Sequence, residues 1–291
     1  MGNINGKVVL ITGGASGIGA EVARRLHAKG ANLVLTDLDG PALTELAGRL
    51  GGSRVLTVVA DVRDAAAMAA AAAQAVDRFG GIDVVMANAG IGSFGSMRNI
   101  DPEAFKKVID VNVTGVFNTV HAALPSLVQR RGYVLMVSSL AAFVAGPGMA
   151  AYTASKAAVE NLANALRLEV AHLGVDVGSA HMSWIDTPMV QELKDELGAF
   201  QKMLASMPGP LSKTTSVQEC GAAFVAGIEA RKRRVYCPRW VGLFRWVRPL
   251  VSTPVAERDL RKSAPELVEG LDAEAAVMGR NFSARTEALE K

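Results

Sequence analysis

Short segments that are apolar throughout alternate with longer helical patterns along this chain, and this alternation limits the fold more than any other feature. The first three apolar segments are residues 7–12 (KVVLIT), 32–36 (NLVLT) and 55–60, and helical spacing follows each of them. Strands that are apolar on both faces are typical of a parallel sheet that helices cover on both sides. Because the crossovers in such sheets are right-handed, the pattern predicts an α/β fold with a doubly wound parallel sheet.

The rest of the chain continues this alternation with two exceptions. Further strands are predicted at residues 83–87, 133–138, 175–180 and 234–237, and helices at residues 17–29, 41–50, 64–79, 102–127 and 151–173. The long segment 184–212 is rich in Met, Gly and Pro and is more typical of a lid than of a core element. We predict one domain over residues 1–253 and a C-terminal extension over residues 254–291, with a peripheral helix and a loose end.

The composition argues against several classes of protein. Half of the 291 residues are hydrophobic and the net charge is +3, which suits a large buried core rather than a disordered chain or a nucleic-acid binder. The two cysteines, Cys220 and Cys237, lack the spacing of a metal site, so we expect no bound metal. Without a signal-peptide pattern or an apolar run of membrane-spanning length, we expect a cytoplasmic protein.

A glycine-rich turn joins the first predicted strand to the first helix, in residues 12–19 (TGGASGIG). Glycines allow a sharp turn and a close approach of the backbone to a pyrophosphate, and the helix N-terminus offers free N–H groups. A tight strand–helix turn without any ligand is the structural alternative. The position of the turn favours dinucleotide binding in a Rossmann-type domain, by Gly13, Ser16, Gly17, Ile18 and Gly19.

Asp37 ends the second predicted strand, 18 residues after Gly19. A carboxylate at that place can accept hydrogen bonds from both hydroxyls of an adenosine ribose, and it would repel a 2′-phosphate. Its neighbours Leu38 and Asp39 offer no cation for such a phosphate. We therefore expect NAD to be preferred over NADP, although Asp37 could also cap a helix or a turn.

Tyr152 and Lys156 lie four residues apart in a helical pattern, so their side chains should share one helix face. Ser139 ends the fifth predicted strand, and strand ends can meet the neighbouring helix face at one pocket. Oxidation of an alcohol removes a proton from oxygen while hydride leaves carbon, and a tyrosine with an ordinary pKa near ~10 is a poor base. We expect the lysine cation and an oxidised nicotinamide to lower that pKa, and Ser139 to donate to the substrate oxygen.

The joint pattern of Gly-x-x-x-Gly-x-Gly, Asp37, Ser139 and Tyr-x-x-x-Lys resembles the short-chain dehydrogenase/reductase (SDR) family over roughly residues 5–190. The resemblance implies a nicotinamide-dependent oxidoreductase that acts on CH–OH groups and assembles as a homotetramer or dimer on its long helices. It implies further cofactor contacts by Leu38, Asp61, Val62, Asn88, Ala89, Gly90, Tyr152, Lys156, Ile185 and Thr187.

Two details of the resemblance leave alternatives open. Asn112 is implied to relay protons between Lys156 and water, but an Asn inside a helix can also bond only to backbone groups. After the sixth strand the family usually has Pro-Gly before the residues that contact the cofactor, whereas this chain has Met182 and Ser183. That departure leaves the local backbone path open.

The predicted substrate pocket is largely apolar. Its walls are expected from residues 91–97, 140–149 and 184–212, with Phe94, Met97, Phe143, Val144, Met149, Trp184 and Met189 among them. Such walls suit a hydrophobic secondary alcohol or ketone, such as a steroid, a terpenoid or a lipid. Some of these side chains could instead pack in the core or against a partner subunit. A 3-oxoacyl thioester reductase and a catalytically silent NAD-binding sensor or scaffold are the alternative functions.

Residues 231–251 combine seven arginines and lysines with interleaved aromatic residues and contain no acid. A basic amphipathic surface with tryptophans can lie on an anionic membrane, so peripheral membrane contact is one prediction. The alternatives are a cover over the substrate entrance, a subunit contact, or a docking patch for an acidic acyl carrier. Nucleic acid is not expected, because the charges in the rest of the chain are balanced.

Overall fold

The computed structural model describes residues 3–289, apart from the side chain of residue 259. Seven strands form one sheet in which every neighbouring pair is parallel. They are β1 (Val8–Thr12), β2 (Asn32–Asp37), β3 (Val55–Val59), β4 (Val84–Ala87), β5 (Tyr133–Val137), β6 (Asp176–Met182) and β7 (Arg234–Cys237). The order β3-β2-β1-β4-β5-β6-β7 reverses direction between β1 and β4. The predicted doubly wound sheet is therefore confirmed, and the switch point is where such sheets bind ligands.

The described helices cover both faces of the sheet and its carboxyl edge. They are α1 (Gly17–Ala28), α2 (Gly40–Leu50), α3 (Ala65–Phe79), α4 (Pro102–Ile109), α5 (Gly115–Arg130), α6 (Ala150–Val170), α7 (Pro188–Glu196), α8 (Gly198–Ser206), α9 (Val217–Glu229), α10 (Val241–Val251), α11 (Arg258–Met278) and α12 (Ala284–Ala288). One core layer packs α1, α2 and α9 on the sheet, and the other packs α3, α5 and α6 on the opposite face. Successive apolar residues of each strand point to opposite faces of the sheet and so contribute to both layers.

The helix predicted over residues 102–127 is interrupted. A π-helical turn, Asp110–Thr114, separates α4 from α5. A π turn inserts one extra residue into the helix and so changes the direction of the side chains within it. Asn112 lies inside this turn and is fully buried. Apolar spacing alone does not reveal such an insertion.

Within the described residues, the second half of the C-terminal extension is bound firmly to the domain, whereas the expectation was a peripheral helix and a loose end. Helix α11 packs against α8, and Leu271 and Phe282 are buried. The Asn281 side-chain amide donates to the Phe94 carbonyl at 2.9 Å, and the Asn281 backbone carbonyl accepts from the Phe94 N–H at 3.0 Å. Asp272 accepts from the Ser96 backbone and hydroxyl at 2.7 Å each. These contacts join residues far apart in the chain, so no local pattern predicts them.

The segment expected to be a lid, residues 184–212, contains α7 and α8. Among the helices within residues 3–289, none has both the length and the apolar character needed to cross a bilayer.

Candidate active site

The residues predicted for the site lie along one cleft at the carboxyl ends of the strands. Its volume is about 1670 Å³. Sixteen of the eighteen predicted site residues line it: Gly13, Ser16, Gly17, Ile18, Asp37, Leu38, Asp61, Val62, Asn88, Ala89, Gly90, Ser139, Tyr152, Lys156, Ile185 and Thr187. The other two, Gly19 and Asn112, lie behind this wall.

The glycine turn requires glycine for two physical reasons. Gly13 and Gly17 have positive φ angles, of 63° and 54°, which L side chains rarely adopt. A Cβ on Gly19 would lie 2.1 Å from the Gly13 carbonyl oxygen, so α1 begins where only glycine fits. The side chain of Thr187 lies close to Gly17, across the turn. The turn therefore presents bare backbone to the cleft, the surface that a pyrophosphate needs.

Asp37 holds the glycine turn as well as facing the cleft. One carboxylate oxygen accepts from the Ala15 N–H at 3.0 Å, and the other accepts from the Asp39 N–H at 3.2 Å. Each oxygen has a second lone pair for a further donor. The carboxylate is thus fixed in position, and it can still accept hydrogen bonds from ribose hydroxyls.

The ends of β1 and β4 are held together by Asn88, which the sequence analysis predicted as a site residue, and by Thr12, which it missed. Asn88 donates to the carbonyls of Thr12 and Gly13, at 3.0 and 3.1 Å. The Thr12 hydroxyl in turn accepts from the backbone N–H groups of Asn88 and Ala89. A threonine at the end of an otherwise apolar strand is the signal that could have identified this contact.

Asp61 is paired with Arg63, whose Nη2 lies 2.6 Å from one carboxylate oxygen. Partial burial raises the pKa of Asp61, but hydrogen bonds from Arg63 outweigh this effect and the pKa lies below its ordinary value. Buried Asn118 on α5 donates to the carbonyls of Val62 and Arg63 and so fixes this wall of the cleft. Asn118 was also missed, although a polar residue on the apolar face of a helical pattern could have revealed it.

Tyr152, Lys156 and Ser139 meet at the centre of the cleft. Tyr152 and Lys156 are one turn apart on α6, and the Lys156 Nζ lies 5.5 Å from the centre of the Tyr152 ring. Lys156 donates to the Val137 carbonyl at 3.1 Å. Ser139 accepts from the Ala141 N–H at 3.1 Å, which fixes its hydroxyl at the end of β5. The expected convergence of a strand end and a helix face is therefore present.

Burial sets the ionisation of this group. It lowers the pKa of Lys156 to about 8, and it raises the pKa of Tyr152, while a hydrogen bond with Ser139 acts in the opposite direction. Desolvation is therefore the larger effect on Tyr152 in the protein alone, and the lowering of its pKa by Lys156 and a bound oxidised nicotinamide stays a prediction. Only 4% of the Lys156 surface is exposed, and buried amines with a lowered pKa are often found at functional sites.

Asn112 uses its side chain for structural bonds. It donates to the Ile91 carbonyl at 2.9 Å and accepts from the Ile91 N–H at 2.8 Å, and it also donates to the Ser155 hydroxyl at 2.9 Å. These bonds hold the loop after β4 against α6. The relay role implied for Asn112 stays a prediction, and the alternative of bonding only to backbone groups does not describe its side chain fully, because Ser155 is also a partner.

A buried charged network supports Ser139 from behind. His181 Nδ1 lies 3.1 Å from the Ser139 carbonyl oxygen, and Nε2 lies 3.0 Å from a carboxylate oxygen of Glu160. Glu160 also accepts from Arg234 at 2.9 Å. Burial raises the pKa of Glu160, but the hydrogen bonds from His181 and Ser179 are among those that outweigh it and hold the pKa well below its ordinary value. A histidine within an apolar strand was the sequence signal for this network.

The substrate side of the cleft is apolar, with contributions from all three expected segments. Trp184 packs edge-on against Phe200, with 5.2 Å between ring centres. Two predicted wall residues are elsewhere: Met97 is 70% exposed, and Phe143 stacks on His181 at 4.6 Å. Helix α11 adds Leu271 to a cluster with Phe94 and Phe200. The C-terminal tail therefore contributes to a wall that the sequence analysis assigned to residues 91–97, 140–149 and 184–212 alone.

Met182 and Ser183 maintain a regular backbone path where Pro-Gly was expected. The Ser183 N–H donates to the Cys237 carbonyl at 3.0 Å, and Ile185 pairs with Thr215 in a parallel bridge. Ile185 and Thr187 consequently still reach the cleft.

Comparisons with known proteins agree with this geometry. A family model described as short chain dehydrogenase matches residues 7–198. The oxidoreductase UcpA of Escherichia coli (strain K12) is 36% identical over 242 residues, which cover 79% of this chain and 91% of that protein.

Two solved structures have the same fold. One is 3-ketoacyl-(acyl-carrier-protein) reductase from Brucella melitensis complexed with NADH, with a TM-score of 0.72, 27% identity, and coverage of 81% of this chain and 99% of that one. The other is a short chain dehydrogenase from Mycobacterium paratuberculosis bound to NAD, with a TM-score of 0.70, 29% identity, and coverage of 81% and 97%.

Proposed function

The chain belongs to the short-chain dehydrogenase/reductase family, and from that premise we propose that it is a cytoplasmic enzyme that uses NAD in preference to NADP to interconvert a hydrophobic secondary alcohol and its ketone. Oxidoreductase chemistry at CH–OH groups is the activity of this family. The observation that carries the proposal is a single cleft that joins the glycine turn, the Tyr152 and Lys156 pair and an apolar wall.

The cofactor preference rests on the residues at the end of β2. The Asp37 carboxylate is held by backbone N–H groups of Ala15 and Asp39, so it cannot easily turn away from a bound ribose. A 2′-phosphate there would meet a fixed negative charge. The backbone of the glycine turn offers room and N–H groups for the pyrophosphate.

The chain's own residues provide the proton chemistry. A bound nicotinamide supplies the acceptor or donor of hydride. The Tyr152 phenolate oxygen accepts the alcohol proton during oxidation, and the resulting hydroxyl donates it back to the substrate oxygen during reduction. Ser139 donates to the substrate oxygen and stabilises the charge that develops there. Protonated Lys156 favours the tyrosinate form, which burial otherwise opposes. The apolar wall excludes water, so these charges act in a medium of low dielectric.

The proposed roles are tested by two substitutions. Tyr152→Phe should bind NAD as the wild type does and lose at least ~100-fold in turnover, because general acid–base catalysis contributes about 10²–10⁴-fold. Asp37→Ala should weaken NAD binding and narrow the preference over NADP. Turnover and binding are measured by NAD-coupled absorbance and by calorimetry. Unchanged turnover in Tyr152→Phe would contradict the acid–base assignment.

The substrate class is tested by an absorbance screen across steroid, terpene and aliphatic secondary alcohols. Walls built by Trp184, Phe200 and Leu271 favour the larger, more apolar members of this set. A preference for short polar alcohols would contradict the proposed class. An acyl thioester such as acetoacetyl-CoA belongs in the same screen, because the Brucella reductase is similar in fold and Arg239, Arg245 and Arg248 offer cations for an acidic carrier.

The membrane contact proposed for residues 231–251 is confined to α10. Arg231 pairs with Asp176 at 2.9 Å and Arg234 with Glu160 at 2.9 Å, both before or within β7. Helix α10 follows β7 and exposes Leu243, Trp246 and Leu250 by 61%, 73% and 64%. These residues share one helix face beside arginines, which suits the surface of an anionic bilayer.

Co-sedimentation with anionic vesicles at low salt tests this contact. Wild type should sediment with the vesicles, and Trp246→Ser should bind several-fold less. Val277→Ser is the matched control, because Val277 is 89% exposed on α11. Absence of wild-type sedimentation would rule out the membrane contact.

We also propose assembly as a dimer or tetramer through the long helices. Phe117 on α5 is 50% exposed and stacks on His121, and Leu168 on α6 is 78% exposed. Exposed apolar residues on two adjacent helices are typical of a subunit contact. Light scattering of Leu168→Glu should show a smaller particle than wild type, and an unchanged mass would contradict an α6 interface.

A further inference from the structure

The last described residues of the chain cross the mouth of the cleft. Residues 279–289 follow α11 and reach the β2–α2 turn, where Arg285 lies beside Asp39, and Arg285, Thr286 and Leu289 line the same cleft as Gly13 and Asp37. We call residues 279–289 the clasp segment. It lies beyond residues 7–198, the part of the chain that the family model matches.

The clasp segment is anchored to several walls of the cleft. Phe282 is buried among Ala104, Val108 and Ala151, the residue that precedes Tyr152. Lys107 lies over the Phe282 ring at 4.8 Å. These contacts place one end of the segment firmly at the catalytic side.

Glu196, at the end of α7, makes the next attachment. It pairs with Arg280 at 2.9 Å and accepts from the Ala284 N–H at 3.2 Å. The segment is therefore joined to the lid helices as well as to the body of the domain, and movement of one would involve the other.

The adenosine end of the clasp segment is held less tightly. The Arg285 Nη2 lies 3.5 Å from one carboxylate oxygen of Asp39, and the two side chains are 33% and 22% exposed. The other Asp39 oxygen caps α2 by accepting from the Ala42 N–H at 3.0 Å. Ion pairs between Arg and carboxylate usually approach to about 2.7–2.9 Å, so this contact is easily exchanged.

We propose that the clasp segment closes over the adenosine half of the bound dinucleotide, and that Arg285 exchanges Asp39 for a phosphate of the cofactor. This inference rests on the proposed NAD-binding function of the cleft. The guanidinium group is always charged and its forked donors match two phosphate oxygens. Among the described residues that line the cleft, Lys156, Lys202, Arg261 and Arg285 are the cations, and Arg285 alone of these pairs with the β2–α2 turn.

The residues next to Asp37 in the sequence include no cation, but the fold brings one to this place. Arg285 comes from the far end of the chain and lies beside the turn that carries Asp37 and Asp39. Its positive charge offsets part of the negative charge that these two carboxylates present to an anionic cofactor. Binding would draw the segment inward, and cofactor exchange would require it to open.

The test measures cofactor binding without turnover. The NAD dissociation constant of the full chain is determined by calorimetry for wild type, Arg285→Ala and Arg285→Lys. Arg49→Ala is the matched control, since Arg49 is an exposed arginine that pairs with Glu45 on α2, the helix that Asp39 caps. We expect Arg285→Ala to bind NAD about tenfold more weakly, Arg285→Lys to bind with intermediate strength, and Arg49→Ala to match wild type. Equal constants for Arg285→Ala and Arg49→Ala would overturn the proposal.

A second measurement follows the segment itself. Amide hydrogen exchange of residues 279–289 should slow when NAD is added to wild type and change less in Arg285→Ala, whereas unaltered exchange in wild type would refute closure.

The same calorimetry with NADP identifies the phosphate that Arg285 contacts. Equal weakening of NAD and NADP binding in Arg285→Ala indicates the pyrophosphate, and greater weakening for NADP indicates the 2′-phosphate. If Asp37→Ala weakens NAD binding but Arg285→Ala does not, only the clasp is wrong. If neither does, the proposed cofactor site is wrong.

Discussion

Replacing Lys156 with methionine should make the stability of the protein less dependent on alkaline pH. The Lys156 amine is 4% exposed, and burial lowers its pKa from 10.5 to about 8. Between these two pH values the unfolded chain holds a proton on Lys156 that the folded chain has lost. The free energy of unfolding of the wild type therefore rises with pH across this window, because the unfolded state binds more protons there.

The size of the effect follows from the shift. One pKa unit corresponds to about 1.4 kcal/mol, so the shift of Lys156 corresponds to roughly 3 kcal/mol over the full window and to about 2.5 kcal/mol between pH 7 and pH 10. Methionine has a similar length and no charge. The variant also loses the hydrogen bond to the Val137 carbonyl, at a cost of about 1–3 kcal/mol that hardly depends on pH.

Urea unfolding of wild type and Lys156→Met at pH 7 and pH 10 measures the contribution of Lys156 to the pH dependence of the free energy of unfolding, since the two proteins share all other titrating groups. Wild type should gain about 2.5 kcal/mol relative to the variant over that interval. Lys213→Met serves as a control at an exposed loop position and should show no such difference. A wild-type gain within ~0.5 kcal/mol of zero would refute the claim that burial destabilises the charged amine.

Three further outcomes are expected. Gly19→Ala should lose NAD binding and about 3 kcal/mol of stability, because its Cβ would lie 2.1 Å from the Gly13 carbonyl oxygen. The control is Gly48→Ala on α2, which has open space around it and should gain about 0.5–1 kcal/mol in the free energy of thermal unfolding. Asp272→Ala should raise KM for the alcohol several-fold and leave the NAD dissociation constant unchanged, since it frees α11 from the loop after β4; an equal effect on both would argue against this separation. Glu160→Gln should cost about 3 kcal/mol in urea unfolding by breaking a buried charged network, and a loss below ~0.5 kcal/mol would contradict its importance.

Much of the fold was predictable because its signals are local. Continuous apolar strands and the glycine turn depend on residues within a few positions of one another. The spacing of Tyr152 and Lys156 fixes a common helix face whatever surrounds it. The position of the cleft was predictable as well, because the carboxyl ends of parallel strands lie together at one edge of the sheet.

Other features depended on packing between distant elements. The π turn at Asn112 and the network of Glu160, His181 and Arg234 required knowledge of which strand and helix become neighbours. The lowered pKa of Lys156 likewise follows from the burial of its amine, which the spacing of residues in the sequence does not reveal.

The sequence by itself therefore determined the doubly wound sheet, the glycine turn and which residues are proposed for catalysis. Only the tertiary structure decided that the C-terminal tail returns to the cleft, bringing Arg285 to Asp39, and that burial raises the pKa of Tyr152. The physical reason is range: backbone propensity and side-chain periodicity act over a few residues, whereas desolvation and long-range pairing depend on the complete packed chain.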